Sequence, residues 1–144
     1  MAENDKSILD VMGVDVGYKI SDVKVITEAD IEGYARLSGD YNPVHMDEDF
    51  ARRSFFGGRI AHGGIAITLI LAVMAKFPGF LILLSQSSRF LKAIKLGDTV
   101  TVDAEVVKVQ RDKGIVTARN TCTNQDGEVA VEGETTIRIF APPD

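Results

Sequence analysis

The residues best suited to chemistry in this chain are its two histidines and a nearby aspartate. His45 and His62 are the only two histidines in the sequence, and Asp40 stands five residues before His45. Pro43 lies between Asp40 and His45, and proline both stops a helix and biases the residue before it toward extended backbone. The two side chains therefore cannot share a helix face and are expected to meet across a turn. A carboxylate and an imidazole in that arrangement can hold one small molecule, often a water, between them.

The second histidine stands directly before a glycine pair that opens an apolar helix. The first N–H groups of a helix have no intrahelical partner and lie at the positive end of its dipole, so the N–H of Gly63 is suited to a negatively charged oxygen. A glycine there also lets a ligand approach the backbone closely. We expect His62 to hydrogen-bond the neighbouring loop and to shape the start of the helix.

The composition favours one domain and excludes several classes of function. The chain has 144 residues, a formal net charge of −5 and 45% hydrophobic residues, which suit a single domain with one sizeable core. Nucleic-acid binding is disfavoured because no basic run supplies contacts to phosphates. The single cysteine, Cys122, can form no intrachain disulfide and leaves a metal site short of thiolates. We therefore expect Cys122 to be a small buried side chain and the site to hold no metal.

Export and membrane insertion are not indicated. The polar residues 1–6 lack the basic region and the apolar stretch of a signal peptide, which predicts a cytoplasmic protein. Residues 64–84 are almost wholly apolar and about as long as the ~20 residues that a membrane span requires. Lys76 and Pro78-Gly79 interrupt this run and divide it into a helix-length piece and a strand-length piece. A helix enclosed by a core, rather than a membrane span, is the better interpretation.

Turn and cap residues predict three helices and five strands. Thr27 and Asp30 resemble a capping box that opens a helix ending near Leu37, and a loop is expected from Asp40 to His45. The other predicted elements are a first strand from Tyr18 to Ile26, a short helix from Asp47 to Arg53, a long helix from about Gly64 to Phe77, strands that begin at Phe80 and Thr99, a strand after the turn at Asp112-Lys113-Gly114, and a last strand ending at Phe140.

The last strand indicates how the sheet is buried. Val129, Val131, Ile137 and Ile139 share one parity, which is the alternation of a half-buried antiparallel sheet. One apolar helix followed by such strands can bury itself if the sheet curls around the helix. The predicted fold class is therefore α+β, a hot-dog fold with a curled antiparallel β-sheet wrapped around one long apolar helix. Such a sheet leaves unpaired edges, so a homodimer is expected.

A family resemblance extends over nearly the whole chain, from about residue 16 to residue 140. It rests on Val16-Gly17, Thr27, Asp30-Ile31, Ala35, Ser38-Gly39-Asp40, Asn42-Pro43, His45, Asp47, Ala51, Phe56-Gly57, Ile60-Ala61-His62-Gly63 and Gly97-Asp98. This pattern resembles the MaoC-like (R)-specific enoyl-CoA hydratases and their 3-hydroxyacyl dehydratase relatives. The resemblance implies one MaoC-like hot-dog domain over residues 1–144, with residues 1–15 as an N-terminal extension. It also implies a homodimer with an active site near the dimer interface.

The same resemblance implies reversible hydration of a trans-2-enoyl thioester to the (R)-3-hydroxyacyl thioester without a metal or redox cofactor. Asp40 and His45 correspond to the catalytic pair of the family, and Gly63 to the oxyanion donor. This reaction needs an activated water, a proton delivered to C2 and a stabiliser for the charge that grows on the thioester oxygen. Asp40 and His45 can hold the water, and which of them accepts its proton stays open.

Four further residues are candidates for binding the substrate: Asn42, His62, Gly64 and Phe56. Asn42 can orient the loop through its amide, although a role in the turn alone explains it equally well. Phe56 can line an acyl pocket, although aromatic residues fill cores by default. Six cations stand near the motif and are candidates for contacts to coenzyme A phosphates, none of them individually assigned: Arg52, Arg53, Arg59, Arg89, Lys92 and Lys95.

Two other functions stay open. A hot-dog acyl-CoA thioesterase would use a carboxylate to activate water toward the thioester carbonyl and would not need the Asp-His pair. A non-catalytic subunit of a heterodimeric dehydratase would bind the acyl thioester while a different hot-dog chain supplies the chemistry. The presence of both Asp40 and His45 argues against the second alternative. The carrier of the acyl group, coenzyme A or acyl carrier protein, is also left open.

Overall fold

The computed structural model describes residues 7–144 and contains five α-helices and five β-strands. The polar residues 1–6, on which the cytoplasmic prediction rests, lie outside the described part. The helices are α1 (Ile8–Met12), α2 (Glu28–Ser38), α3 (Pro43–Met46), α4 (Glu48–Arg53) and α5 (Gly63–Met74). The strands are β1 (Lys19–Val25), β2 (Phe80–Phe90), β3 (Thr99–Gln110), β4 (Ile115–Thr123) and β5 (Val129–Phe140).

The five strands form one antiparallel sheet in the order β1-β3-β4-β5-β2. Strands β3, β4 and β5 follow one another as a meander, because short turns suffice to join antiparallel neighbours. Strand β1 joins β3 across a long stretch of sequence, with Lys19 opposite Glu105 and Val25 opposite Thr99. Strands β1 and β2 are the two edges of the sheet.

Helix α5 lies on the inner face of the sheet and forms the centre of the core. It contacts β1, β3, β4 and β5. Its buried residues are Ile65, Ala66, Ile70, Val73 and Met74, and alternate residues of β3 (Val100, Val102, Ala104 and Val106) are buried on the inner face of the sheet. Irregular register in β2–β5, β3–β4 and β4–β5 marks bulges, which bend strands and help a sheet to curl. The predicted hot-dog arrangement is confirmed.

The apolar run of residues 64–84 divides as predicted into a helix and a strand. Helix α5 ends at Met74 rather than near Phe77, and β2 begins at Phe80. Pro78 and Gly79 lie between the two elements, and the positive φ of Gly79, 89°, is one that glycine adopts without strain. Among residues 7–144, no helix is long and apolar enough to cross a membrane.

Two short helices lie where no helix is predicted. Helix α1 is capped by the Ser7 side chain and inserts Leu9, which is fully buried, into the core. The expected loop from Asp40 to His45 contains the start of α3, which Asn42 caps and Pro43 begins. Proline is common in the first turn of a helix, because a backbone N–H at that position would have no intrahelical partner. His45 therefore lies on a helix rather than in a loop.

Candidate active site

Asp40, His45 and His62 come together at the entrance to helix α5. One donor atom of each, a carboxylate oxygen or a ring nitrogen, lies within 4.8 Å of the others. Asp40 is exposed in the turn after α2, whereas His45 and His62 are only 8% and 2% exposed. A solvent-accessible carboxylate therefore adjoins two imidazoles that are largely shielded from water.

The turn that carries Asp40 is built from local hydrogen bonds. Helix α2 ends at Ser38 and is capped by Gly39, whose φ of 78° is in the left-handed region that favours glycine. Asp40 Oδ1 accepts the backbone N–H of Asn42 at 3.1 Å, and Asn42 Oδ1 accepts that of Val44 at 3.3 Å. These Asx interactions reverse the chain between α2 and α3. The Asn42 amide thus caps α3, and Asn42 is not among the residues that line the cleft described below.

Residues 59–62, which we call the bracing segment, hold His45 in one orientation. His45 Nδ1 lies 2.8 Å from the carbonyl oxygen of Ile60. Since a carbonyl only accepts, Nδ1 carries the proton and Nε2 is left as an acceptor in the neutral ring. Arg59 Nε donates to the His45 carbonyl at 2.6 Å. The bracing segment is fixed in turn to the β2–β3 connection, where Ala61 N–H donates to the Ile94 carbonyl.

The cations near the motif differ in their surroundings. Arg59 is buried, and besides His45 it binds Glu28 Oε1 through Nη1 at 2.9 Å. Its charge is therefore compensated inside the protein, so among the six unassigned cations Arg59 is not placed to bind a phosphate. Lys92 lines the same cleft as His45 and forms an ion pair with Glu128. The buried position of Arg59 has no local signal, because its partners are distant in sequence.

His62 lies between two aromatic rings. Its ring centroid is 4.0 Å from that of His45, with 28° between the planes, and 4.7 Å from that of Tyr34. His62 Nε2 lies 2.9 Å from the carbonyl oxygen of Asp40. Its other nitrogen, Nδ1, is buried and has no hydrogen-bond partner among the described residues. His62 is also the N-cap of α5, although its side chain makes no capping bond.

A cleft of about 340 Å³ opens beside His45 and the start of α5. Its walls are mostly apolar, and they are formed by His45, Phe56, Ile60, Ala61, His62, Gly63, Ala66, Phe90, Leu91, Lys92, Ala93, Ile94 and Val131. Phe90 lies against the helix entrance, since a Cβ added to Gly63 would be 2.9 Å from Phe90 Cε1. The cleft therefore offers apolar walls, an imidazole and the N-terminus of a helix in one place.

The structure brings most of the candidate residues to this cleft. His45, His62, Gly63 and Phe56 line it, and Asp40 adjoins the two histidines. Gly64 does not line it.

Packing against Tyr34, rather than access to the cleft, explains why residue 64 is glycine. A Cβ on Gly64 would lie 1.7 Å from Tyr34 Oη, so this glycine makes room for the tyrosine that packs on His62. Neither this role of Tyr34 nor the position of Phe90 is expected from the sequence.

The same three side chains form a cluster of potential metal ligands among residues 7–144. On each imidazole, however, one nitrogen already faces a backbone carbonyl. The two rings are stacked, so their remaining in-plane lone pairs lie in nearly parallel planes instead of converging on one point. This arrangement favours stacking over chelation.

Comparisons with known proteins identify the family of this chain. Residues 13–126 match the family model described as MaoC like domain. The "(R)-specific enoyl-CoA hydratase" of Rhodospirillum rubrum is 41% identical over 127 residues, which cover 87% of this chain and 88% of that protein. The "3-hydroxybutyryl-CoA dehydratase" of Methylorubrum extorquens is 36% identical, and the match covers 81% of this chain and 74% of that protein.

Solved structures show the same fold. The (R)-hydratase from Aeromonas caviae involved in PHA biosynthesis superimposes with a TM-score of 0.85 at 33% identity, covering 88% of this chain and 98% of that one. The unliganded R-hydratase from Pseudomonas aeruginosa gives a TM-score of 0.84 at 37% identity, covering 90% of this chain and 84% of that one. The family match covers most of the chain, including the turn at Asp40, the helix entrance and every cleft residue except Val131. The chain therefore belongs to the MaoC-like family.

Proposed function

We propose that this protein catalyses the reversible hydration of trans-2-enoyl thioesters to (R)-3-hydroxyacyl thioesters. One observation carries the proposal: the Asp40 carboxylate lies within 4.8 Å of ring nitrogens of His45 and His62, and both histidines line an apolar cleft at a helix N-terminus. Relatives named for this hydration, or for the dehydration of 3-hydroxybutyryl-CoA, are 41% and 36% identical. Hydration and dehydration share one transition state, so both directions are consistent with one site.

The Asp-His pair would bind the reacting water. An ionised Asp40 carboxylate and the unprotonated Nε2 of His45 are both acceptors, and each can receive one hydrogen bond from the same water. The water oxygen would form a bond to C3 while one of the two partners accepts a proton, and a proton is delivered to C2. The net change is the addition of H and OH across the double bond. A positioned acid or base contributes roughly 10²–10⁴ to such a rate.

The start of helix α5 would stabilise the charge on the thioester oxygen. As water adds to C3, electrons of the double bond move toward the thioester and give its oxygen enolate character. The first N–H of α5, at Gly63, has no intrahelical partner, and no side chain caps this end of the helix. Phe90 and Phe56 would enclose the acyl group. In this assignment His62 lines the cleft beside His45, whereas Asn42 acts through the turn and Gly64 through the packing of Tyr34.

We also propose that the protein is a homodimer that pairs through β2. Both edge strands lack a second neighbour in the sheet. Strand β1 carries charged residues at Lys19, Asp22 and Lys24, a device that discourages pairing of edges. Strand β2 instead exposes the apolar side chains of Phe80, Ile82, Leu83 and Leu84, and its last residue, Phe90, lines the cleft. Pairing of two β2 edges would cover this apolar surface near the active site.

The substrate carrier and the cellular location stay predictions. Coenzyme A and acyl carrier protein both present a thioester through the same pantetheine arm, and the cleft is compatible with either. The cytoplasmic location rests on residues 1–6 alone.

The deciding experiment is a crotonyl-CoA hydration assay followed by chiral analysis of the product. The proposal predicts loss of the enoyl absorbance without release of free thiol, and a product of (R) configuration. Release of free coenzyme A at the same rate would instead identify the thioesterase alternative. Activity that appears only after addition of a second hot-dog chain would identify the non-catalytic subunit.

A further inference from the structure

We propose that His62 is a positioning residue that fixes Asp40 and His45 relative to each other. This inference rests on the proposed hydratase function. His62 Nε2 lies 2.9 Å from the carbonyl oxygen of Asp40, and a carbonyl only accepts, so Nε2 must carry the proton. The bond therefore holds the backbone of the residue whose carboxylate would bind water. Among the described residues, no side chain other than His62 donates to the backbone carbonyl of Asp40. The Asp40 carboxylate accepts one hydrogen bond, from the backbone N–H of Asn42.

The His62 ring fixes the second member of the pair. It is 2% exposed and stacks on His45 at 4.0 Å between centroids. Tyr34 packs on it from another direction at 4.7 Å, in space that exists because residue 64 is glycine. One side chain thus touches both catalytic candidates, through a hydrogen bond to Asp40 and through its ring face to His45.

The two ring nitrogens of His62 differ, because Nε2 bonds the Asp40 carbonyl and Nδ1 has no partner among the described residues. A buried polar atom without a partner costs free energy, and His62 Nδ1 is such an atom. A phenylalanine would fill the same space between Tyr34 and His45 without that cost. What phenylalanine cannot supply is the Nε2–H donor to Asp40. The bond to the Asp40 carbonyl therefore gives the imidazole a role that packing alone does not.

Two substitutions separate the donor from the ring. His62→Gln keeps an N–H donor at a position similar to Nε2 and loses the ring, whereas His62→Phe keeps a ring and loses the donor. Displacement of Asp40 by about 1 Å would lower kcat on the order of 10²-fold. We expect that loss for His62→Phe, with KM changed only a few-fold, and we expect His62→Gln to retain at least about ten times the kcat of His62→Phe. Equal losses in both variants would overturn the role of the donor.

A double-mutant cycle tests whether His62 acts through Asp40. If it does, His62→Phe should lower kcat much less in an Asp40→Asn background than in the wild type, because groups that act as a unit are not additive. Losses that multiply, or a His62→Phe variant with wild-type kcat, would overturn the inference. A wild-type kcat for Asp40→Asn alone would instead contradict the proposed catalytic pair, so the two failures are distinguishable.

A spectroscopic readout is independent of activity. The chain has two histidines, so long-range ¹H–¹⁵N spectra contain two imidazoles, and the His62→Phe variant assigns them. We expect His62 to carry its proton on Nε2 and His45 on Nδ1, as their carbonyl partners require. All spectra and rates are measured well below the Tm of each variant, so that unfolding does not contribute. Cys122→Ala, a substitution in the core outside the cleft, is the control for a general effect of core changes. A His62 proton on Nδ1 would overturn the proposed bond to Asp40.

Discussion

At the scale of single residues, Asp40 and His45 differ in how firmly they are held. His45 is buried and tied to Ile60, and Arg59 holds its backbone, whereas Asp40 is exposed in a turn. A pair of this kind combines a fixed imidazole with a carboxylate that solvent can reach. We expect Asp40→Asn and His45→Gln each to lower kcat by roughly 10²–10⁴.

Steady-state kinetics with crotonyl-CoA measure these losses, and circular dichroism checks that both variants fold. Each substitution keeps a side chain of similar size, and His45→Gln places an amide near the position of Nε2 while it gives up the Nδ1–H donor to Ile60. Near wild-type turnover in either variant would remove that residue from the chemistry. If both act on one water, the double variant should lose much less than the product of the single losses.

The two glycines at the helix entrance are expected to respond differently to substitution. Gly63→Val would place a side chain against the exposed ring of Phe90, which can move, and would block approach to the helix N–H. Loss of one oxyanion contact costs roughly 2.7–4 kcal/mol of transition-state stabilisation, so turnover should fall far more than Tm. Gly64→Val would collide with Tyr34 and should chiefly lower Tm.

Gly58→Ala is a matched control, because a Cβ there meets no atom within 4 Å and its φ is not positive. It should leave both quantities near wild type. A Gly63→Val enzyme that loses activity only in proportion to its unfolded fraction would exclude Gly63 from the mechanism.

The sequence predicts which residues are candidates for this site better than it predicts the tertiary contacts that hold them. Two scarce histidines, an aspartate before Asn-Pro and a glycine after His62 are local signals, and each has a meaning independent of the rest of the fold. The contacts of Arg59 with Glu28 and of Phe90 with Gly63 join residues far apart in sequence. No periodicity or spacing encodes such pairs, so they emerge only from the tertiary structure.

At the scale of elements, strand β4 shows how alternation places a thiol in the core. Cys122 shares the buried face of β4 with Val116 and Ala118, as the sequence predicts. Burial, with a smaller contribution from the Asp103 carboxylate, raises the pKa of the Cys122 thiol from 9.0 to about 11. The folded protein therefore favours the neutral thiol, and this contribution to stability is complete below pH 9 and is lost as the pH rises through 11.

We expect the free energy of unfolding to fall more steeply between pH 8.5 and about 11 in the wild type than in Cys122→Ala, by about 1–3 kcal/mol. Urea unfolding of both proteins across this range measures the difference, and the variant cancels the contribution of other groups that titrate there. Parallel pH profiles would show that the thiol does not contribute. In the native state at pH 8, Cys122 should resist alkylation.

The boundaries of a helix can be predicted from the sequence where a single cap residue determines them. The capping box of Thr27 and Asp30 does begin α2, and Asp47 does cap α4. Helix α3 escapes prediction because it is only one turn long, and Pro43 reads equally as a helix stop and as a helix start. Whether residues 44–46 adopt helical backbone depends on their contacts with the bracing segment, about fifteen residues later in the sequence, and no local pattern encodes those contacts.

At the scale of the whole molecule, the two sheet edges predict which surface pairs. Leu83 and Leu84 in β2 are 48% and 46% exposed, and their side chains would be covered in a dimer that pairs through β2. We expect Leu83→Glu to shift the protein toward a monomer in light scattering. Val23→Glu, on the opposite edge strand, is the matched control because Val23 is 58% exposed and should leave the dimer intact. Dissociation by the control alone, or a fully active wild-type monomer, would contradict the assignment.

The path of the chain also has a consequence for the order in which the protein comes apart. The meander β3-β4-β5 is held by pairings between neighbours in sequence and packs on the core helix α5, whereas residues 40–46 form an exposed turn and a helix of one turn between α2 and α4. Segments with few buried apolar contacts and solvent-exposed backbone hydrogen bonds open locally at a lower free-energy cost than the strands of a core. In a urea titration, hydration activity should therefore disappear before the sheet signal in circular dichroism. Amide exchange should be faster at residues 40–46 than in β4, so the turn that carries Asp40 is expected to open and close many times for each global unfolding of the sheet.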